Sequence, residues 1–157
     1  MSSSLFGSSV EDVLLEHGRL RLYSSFLDEH ESSDFFCRLQ QQVCWKQDKL
    51  VFGGKEVPIP RLQAWYGDDG ANYIYSGLTL HPEPWSQDLL RLKTKIESVV
   101  GLTFNSLLAN YYRDGSDSIA WHSDDEPELG RNPVIASVSL GATRRFVLKR
   151  KTKNNHQ

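Results

Sequence analysis

The polar stretch over residues 110–127 decides the fold prediction and reads Asn110-Tyr-Tyr-Arg-Asp-Gly-Ser-Asp-Ser-Ile-Ala-Trp-His122-Ser-Asp124-Asp125-Glu126-Pro127. It places a His-x-Asp pair just after a predicted strand that ends in polar side chains. Side chains two positions apart in an extended segment point to the same side, so His122 and Asp124 can bind one ligand together. An imidazole and a carboxylate are two of the three protein ligands in the 2-His-1-carboxylate triad of mononuclear non-haem iron sites. The third ligand, a second histidine well downstream, is not visible in the sequence.

The His-x-Asp pair alone has a second interpretation as an ordinary surface pair, because so short a match arises by chance. Its surroundings favour the metal site: residues 118–121 place the pair at a strand end, and a turn at 114–115 returns the chain beside Asn110 and Tyr112. The amide of Asn110 and the phenol of Tyr112 are donors suited to the carboxylate of an anionic ligand. A tyrosine at a strand end also commonly caps a core, and that alternative stays open.

Length and composition favour one globular domain. The chain has 157 residues, of which 39% are apolar and 24% are charged, which is enough for one buried core. We expect a flexible N-terminus over residues 1–18 and a single domain over 19–157. No apolar run reaches the length of a membrane span, and the first residues lack the pattern of a secretory signal. Cys37 and Cys44 do not form a Cys-x-x-Cys motif, which predicts reduced thiols and an intracellular location, in the nucleus or the cytoplasm of a eukaryote or in the cytoplasm of a bacterium.

The charge is unevenly distributed, although the formal net charge is only −2. Residues 114–128 are acidic, whereas the C-terminal stretch contains Arg144, Arg145, Lys149, Arg150, Lys151 and Lys153. An acidic metal centre beside a basic face suits an enzyme that acts on a polyanion. A solvated cationic tail explains the basic stretch equally well.

The apolar periodicity and the turn residues predict an α+β protein. The predicted strands cover 19–26, 104–112, 134–140 and 145–149, with a turn at 141–143 before the last; the predicted helices cover 34–43, capped by Ser32-Ser33-Asp34, and 86–100, capped by Ser86 and ended by Gly101. Phe52-Gly53-Gly54-Lys55 predicts a turn between two short strands, and residues 65–70 predict a loop. Helices first and antiparallel strands later predict helices packed on a sandwich or jelly roll.

Five runs resemble one known family in order and spacing. They are Trp65-Tyr-Gly-Asp68, Tyr73-Ile-Tyr-Ser-Gly-Leu78, Thr103-Phe-Asn-Ser-Leu-Leu-Ala-Asn-Tyr-Tyr-Arg-Asp-Gly115, Trp121-His-Ser-Asp-Asp-Glu-Pro-Glu-Leu-Gly130 and Ile135-Ala-Ser-Val-Ser-Leu-Gly-Ala-Thr-Arg-Arg-Phe146. Over about residues 20 to 151 the chain resembles the AlkB-type nucleic-acid dealkylases, in the branch of the animal AlkB homologues 2 and 3.

The resemblance implies a dioxygenase that depends on iron(II), 2-oxoglutarate and O2, built on a double-stranded β-helix, or jelly roll. Such enzymes hydroxylate the N-alkyl carbon of 1-methyladenine or 3-methylcytosine in DNA or RNA, and the product collapses to formaldehyde and the repaired base. The partner implied is alkylated DNA or RNA, with no membrane, and we expect a monomer.

The resemblance also assigns roles residue by residue. It implies His122 and Asp124 as iron ligands and Asn110 and Tyr112 as the groups that hydrogen-bond 2-oxoglutarate. For substrate binding, it implies a pocket for a flipped base, formed by Tyr73, Ile74, Tyr75 and Asp125. It also implies a hairpin that fills the gap left by that base, formed by Phe52, Gly53 and Lys55. Aromatic walls stack an extruded base and an acid reads its amino edge, which suits these residue types. The extra glycine, Gly54, makes the alignment of the hairpin loose.

The chain departs from the family pattern after residue 150. The family's second iron histidine and the arginine that binds the far carboxylate of 2-oxoglutarate lie several tens of residues further on, and His156 has the wrong context. We therefore expect a domain that is incomplete at its C-terminus, with the later strands missing. An extended chain is expected to release formaldehyde from a methylated oligonucleotide, and this chain is not.

Two other hypotheses stay open. A truncated product could serve as a non-catalytic nucleic-acid-binding or regulatory fragment, using the hairpin, the Tyr73 segment and the basic C-terminus. A cupin-like metalloprotein with a small substrate is the third, and it leaves the aromatic pocket motif unexplained.

Overall fold

The computed structural model describes residues 10–16, 18–75, 78–124 and 126–150. Its strands are β1 (Val10–Leu15), β2 (Gly18–Tyr23), β3 (Lys49–Phe52), β4 (Lys55–Pro58), β5 (Leu62–Gly67), β6 (Tyr73–Tyr75), β7 (Leu78–Leu80) and β8 (Ser106–Tyr111). The helices are α1 (Glu29–Gln42) and α2 (Gln87–Val100), and a short 3₁₀ helix covers Pro127–Leu129. Among the described residues, no helix is long and apolar enough to cross a membrane.

The strands pair two by two into antiparallel ladders, β1 with β2, β3 with β4, β5 with β8 and β6 with β7. Three of the four are hairpins, whereas β5 and β8 are far apart in the chain. Helices combined with antiparallel strands confirm the coarse part of the α+β prediction. The jelly roll with missing later strands stays a prediction.

The chain divides into two compact units, and the boundary falls inside α1. One unit comprises Met1–Phe36 and Val138–Gln157, and the other comprises Cys37–Ser137. The single domain over residues 19–157 stays a prediction.

The first unit contains the β1–β2 hairpin. Asp12 accepts hydrogen bonds from Arg21 at 2.8 Å and from Arg19 at 3.4 Å, which joins the two strands at their surface. Strand β1 lies within the stretch 1–18 for which we predicted flexibility, while residues 1–9 and 17 lie outside the described part. In the same unit Gly141 has a φ of +79°, and a Cβ there would lie 2.8 Å from a ring carbon of Phe36. Both the left-handed backbone and the closeness of the ring require glycine at this position.

The second unit has its core on one face of the β5–β8 ladder. Ala64 and Tyr66 of β5 lie opposite Ala109 and Leu107 of β8, and all four pack in a cluster with Val43, Leu89, Leu39, Trp45 and Trp85. Side chains alternate between the faces of a strand, so the intervening positions, which include Gln63 and Asn110, lie on the opposite face. The ladder therefore separates an apolar face that stabilises the fold from a face that carries polar groups.

The predicted start of α1, at residue 34, is wrong, because the helix begins at Glu29. It begins there because the carboxylate of Asp28 accepts the backbone N–H of Glu31 at 2.8 Å, and Glu31 accepts the N–H of Asp28 at 3.4 Å in return. This reciprocal pair is a capping box. It places Ser32-Ser33-Asp34, the predicted cap, inside the helix.

The predicted bounds of α2 are confirmed at both ends. Ser86 accepts the N–H of Leu89 at 3.3 Å, and Gly101 ends the helix with a φ of 70° and donates its N–H to Glu97. Both ends follow local rules that the sequence displays, a serine cap and a left-handed glycine.

Three strand and loop predictions are wrong. Residues 134–140 and 145–149 are not strands, and Ile135 and Phe146 are 53% and 72% exposed. An alternating pattern of apolar and polar residues indicates which face a strand would bury. A strand also needs a neighbouring strand to pair with its backbone N–H and C=O groups. Within the described residues, no ladder includes these two segments. Conversely, residues 65–67 belong to β5 rather than to a loop, which starts at Asp68.

Candidate functional site

Strand β8 carries the predicted anion-binding groups at its end. Asn110 is the penultimate residue of β8, pairs with Gln63 and is half-buried. Tyr112 follows β8 directly and is half-buried as well. The Oδ1 atom of Asn110 accepts a hydrogen bond from Nε of Arg61 at 2.8 Å.

Arg61 belongs to a line of hydrogen bonds that sequence analysis missed. Its Nη2 donates to Oε1 of Gln63 at 3.1 Å, and Nε2 of Gln63 donates to Oδ2 of Asp48 at 2.8 Å. Arg61 and Gln63 are each only 3% exposed. We call Asp48, Gln63, Arg61 and Asn110 the buried polar chain. Its one signal in the sequence is that Arg61 and Gln63, two apart, alternate with apolar residues at the start of β5.

The loop after β8 is held by an ion pair. Nε and Nη2 of Arg113 lie 2.7 and 2.8 Å from the two carboxylate oxygens of Asp117, which also accepts the backbone N–H of Arg113 at 2.9 Å. The carboxylate of Asp117 raises the pKa of the Arg113 guanidinium. The predicted turn at 114–115 is confirmed, and the Ser116 hydroxyl and backbone N–H lower the pKa of the Asp114 carboxyl.

Beyond that turn, the chain returns beside the start of β5. The N–H of Ser118 donates to the carbonyl of Pro60 at 2.8 Å, next to Arg61. The segment that leads to His122 therefore starts close to the residue that contacts Asn110.

His122 and Asp124 face each other at a distance that fits two ligands of one metal. Nε2 of His122 lies 3.5 Å from Oδ1 of Asp124, and the side chains are 38% and 42% exposed. Two ligands that bind one ion at about 2.1 Å and at right angles lie about 3 Å apart. Nδ1 of His122 lies 2.8 Å from the carbonyl oxygen of Ala120. A carbonyl only accepts, so this contact fits a proton on Nδ1; in a neutral imidazole Nε2 then carries the lone pair, which is the tautomer that a metal ligand needs.

An imidazole and a carboxylate are donor types that iron(II) accepts. Among residues 10–16, 18–75, 78–124 and 126–150, no group of three or more His, Cys, Asp or Glu side chains is placed to hold a metal ion. The paired imidazole and carboxylate fit two positions of a facial triad and leave the others to further ligands.

The other predicted site residues lie on separate hairpins or outside the described part. Phe52 ends β3 and Lys55 begins β4, and between them Gly53 and Gly54 have φ values of 58° and 76°, so the predicted turn is confirmed. Tyr73, Ile74 and Tyr75 form β6, and their side chains, like that of Phe52, lie outside what the structure describes. Asp125 also lies outside the described residues.

The His122–Asp124 pair, whose donor atoms fit one metal ion, lies in the same compact unit as the predicted anion-binding groups of β8 and defines a candidate mononuclear metal centre. The sequence model of the 2OG-Fe(II) oxygenase superfamily matches residues 19–157, and the chain belongs to that superfamily. Membership implies iron(II) as the cofactor and 2-oxoglutarate as the co-substrate.

The chain is similar to several alkB homologues. It is 50% identical over 134 residues to the rat alpha-ketoglutarate-dependent dioxygenase alkB homolog 3, covering 85% of this chain and 45% of that protein. It is 48% identical over 134 residues to the human alkB homolog 3, with 85% and 46% covered. It is 41% identical over 155 residues to the bovine DNA oxidative demethylase ALKBH2, with 92% and 55% covered. The chain thus spans about half the length of the curated relatives that it matches, and the predicted resemblance is confirmed.

Proposed function

We propose that this protein removes alkyl groups oxidatively from damaged bases in DNA or RNA, with 1-methyladenine and 3-methylcytosine as the substrate bases. The observation that carries the proposal is the His122–Asp124 pair, with Nε2 and Oδ1 turned toward each other inside the range that matches the oxygenase superfamily. Similarity to an alkB homolog 3 and to a DNA oxidative demethylase over most of this chain supports the choice of substrate class.

In this proposal, the described residues bind and orient. His122 and Asp124 hold iron(II), and the bond from Nδ1 to Ala120 keeps the imidazole in the required tautomer. The donors of Asn110 and Tyr112 bind a carboxylate of 2-oxoglutarate. Iron(II), 2-oxoglutarate and O2 together supply the oxidising chemistry that hydroxylates the N-alkyl carbon.

In this proposal, substrate binding has two parts, recognition of the damaged base and contacts to the phosphates of the nucleic acid. We assign the aromatic residues of β6 and Asp125 to recognition of a flipped base, and the β3–β4 turn to the gap that the base leaves in the duplex. Lys55 at that turn and the exposed arginines of the C-terminal segment supply phosphate contacts, whose contribution falls as salt rises. We further infer that the β5–β8 ladder belongs to a double-stranded β-helix.

Formaldehyde release tests this function. The full-length product of the gene, given iron(II), 2-oxoglutarate and O2, is expected to release formaldehyde from an oligonucleotide that carries 1-methyladenine or 3-methylcytosine and not from the unmodified oligonucleotide. His122→Ala and Asp124→Ala are expected to reduce the release by at least about a hundredfold, because each removes an iron ligand. His30→Ala is the matched control, since His30 is an exposed histidine on α1. Release that survives both ligand substitutions would contradict the proposal.

A further inference from the structure

Arg61 is a buried cation whose hydrogen-bond partners are neutral. The residue is 3% exposed, and its side chain contacts the amide oxygens of Asn110 and Gln63. Within the described residues, it forms no salt bridge to a carboxylate. Arg113, in the same compact unit, shows the usual arrangement, with two short contacts to the buried carboxylate of Asp117. A buried charge without an opposite charge beside it costs folding free energy, so a reason for Arg61 must lie elsewhere.

The guanidinium determines which way the Asn110 amide points. A guanidinium only donates, so the Asn110 atom that faces Nε at 2.8 Å must be Oδ1. The Nδ2 group is then the part of the amide that does not face Nε of Arg61, and within the described residues no hydrogen bond from Nδ2 is present, so it can donate to a ligand. Asp48 sets the neighbouring amide in the same way, because a carboxylate accepts the Nε2 hydrogen of Gln63 and leaves Oε1 for Arg61.

We propose that Arg61 is a positioning residue that holds Asn110 with Nδ2 presented as a donor to the carboxylate of 2-oxoglutarate. The inference rests on the proposed function, which assigns Asn110 to that ligand. Arg61 acts through Asn110, and its positive charge behind the amide favours an anion in front of it. Orienting Asn110 for its ligand thereby explains why a cation is buried at this position.

The order of the Asn110 side chain tests the positioning without any ligand. By NMR relaxation, the side-chain amide of Asn110 is expected to have an order parameter near that of rigid backbone, about 0.85, and to fall below about 0.6 in Arg61→Met. Arg61→Lys, which keeps a buried charge with a single flexible donor group, is expected to lie between them and covers the case in which Arg61→Met fails to fold. Arg113→Met is the control and leaves the order of Asn110 unchanged. An ordered Asn110 in both Arg61 variants would overturn the proposal.

Titration with 2-oxoglutarate, with Mn(II) in place of iron(II), tests the ligand. Asn110→Ala and Arg61→Met are each expected to weaken binding about tenfold, the scale of one hydrogen bond to a charged group. The double variant is expected to be no weaker than Asn110→Ala alone, because Arg61 acts through Asn110. Additive losses would overturn the proposal. Unchanged affinity in Asn110→Ala would instead refute the role of Asn110 in the proposed function, and the order parameters would still decide what Arg61 does.

Discussion

The β5–β8 and β3–β4 ladders share one architecture and one compact unit, yet their surroundings are opposite. Five consecutive residues of β5 are buried, from Gln63 to Gly67, whereas every residue of β4 is exposed and Val51 of β3 is 72% exposed. An isolated two-stranded hairpin is at best marginally stable in water. Burial of β5 against the core therefore stabilises this unit, whereas the hydrogen bonds of a two-stranded ladder alone are not sufficient.

Truncating one side chain in each environment gives the largest expected contrast in stability. Tyr66→Ala is expected to lower the free energy of unfolding by about 3–5 kcal/mol, the range for buried aromatic residues. Val51→Ala is expected to change it by less than about 0.5 kcal/mol. Urea denaturation of both variants measures the difference, and equal losses would break the distinction between the two ladders.

The hydroxyl of Tyr66 is expected to make a smaller contribution to the free energy of unfolding, and this contribution depends on pH. Burial raises the pKa of this phenol, whose oxygen accepts the N–H of Cys44 at 3.0 Å. Because the folded state holds the proton more tightly, this contribution to stability is complete below the unfolded pKa of about 10 and is lost as the pH rises through the folded value.

Tyr66→Phe removes both contributions of that hydroxyl. We expect it to cost about 1 kcal/mol at neutral pH, where the N–H of Cys44 loses its acceptor, and to flatten the alkaline decline of stability. Urea midpoints measured from pH 7 to about 11 test this, with Tyr23→Phe in the β1–β2 hairpin as the control. An unchanged alkaline slope would contradict the assignment.

The surface ion pair of the β3–β4 hairpin is expected to contribute least to the free energy of unfolding. Nζ of Lys49 lies 3.0 Å from Oε2 of Glu56, and the side chains are 60% and 67% exposed. Lys49→Ala is expected to change the free energy of unfolding by less than about 0.5 kcal/mol, because solvent screens such pairs. A loss comparable to that of Tyr66→Phe would show that the hairpin contributes to stability through its charges.

The same contrast explains how far the sequence predicts the structure. The bounds of α2 and the His122–Asp124 pair could be predicted because their signals are local, a cap and a spacing of two. The α1 cap is ambiguous in the sequence because two polar clusters, Asp28-x-x-Glu31 and Ser32-Ser33-Asp34, precede the same apolar face. The strands at 134–140 and 145–149 were predicted from alternation alone, which carries no information on a pairing partner.

The buried polar chain shows why part of the site could not be predicted. In the sequence, nothing distinguishes Arg61 and Gln63 from other polar residues near a strand. Their role depends on the contact with Asn110. That contact depends on the register of the β5–β8 pair, in which Gln63 lies opposite Asn110. Register across so long a separation is a tertiary property, and no local pattern in either strand specifies it.

The register of that ladder also bears on how the unit folds. Leu62 pairs with Tyr111 and Gly67 with Ser106, so residues 68–105, with β6, β7 and α2, must be looped out before the first ladder bond forms. Closing so long a loop slows folding more than it reduces final stability, because the entropic cost grows only with the logarithm of loop length. Asn110 therefore meets Arg61 only when this non-local ladder forms, and the same ladder carries the core residues Ala64 and Tyr66.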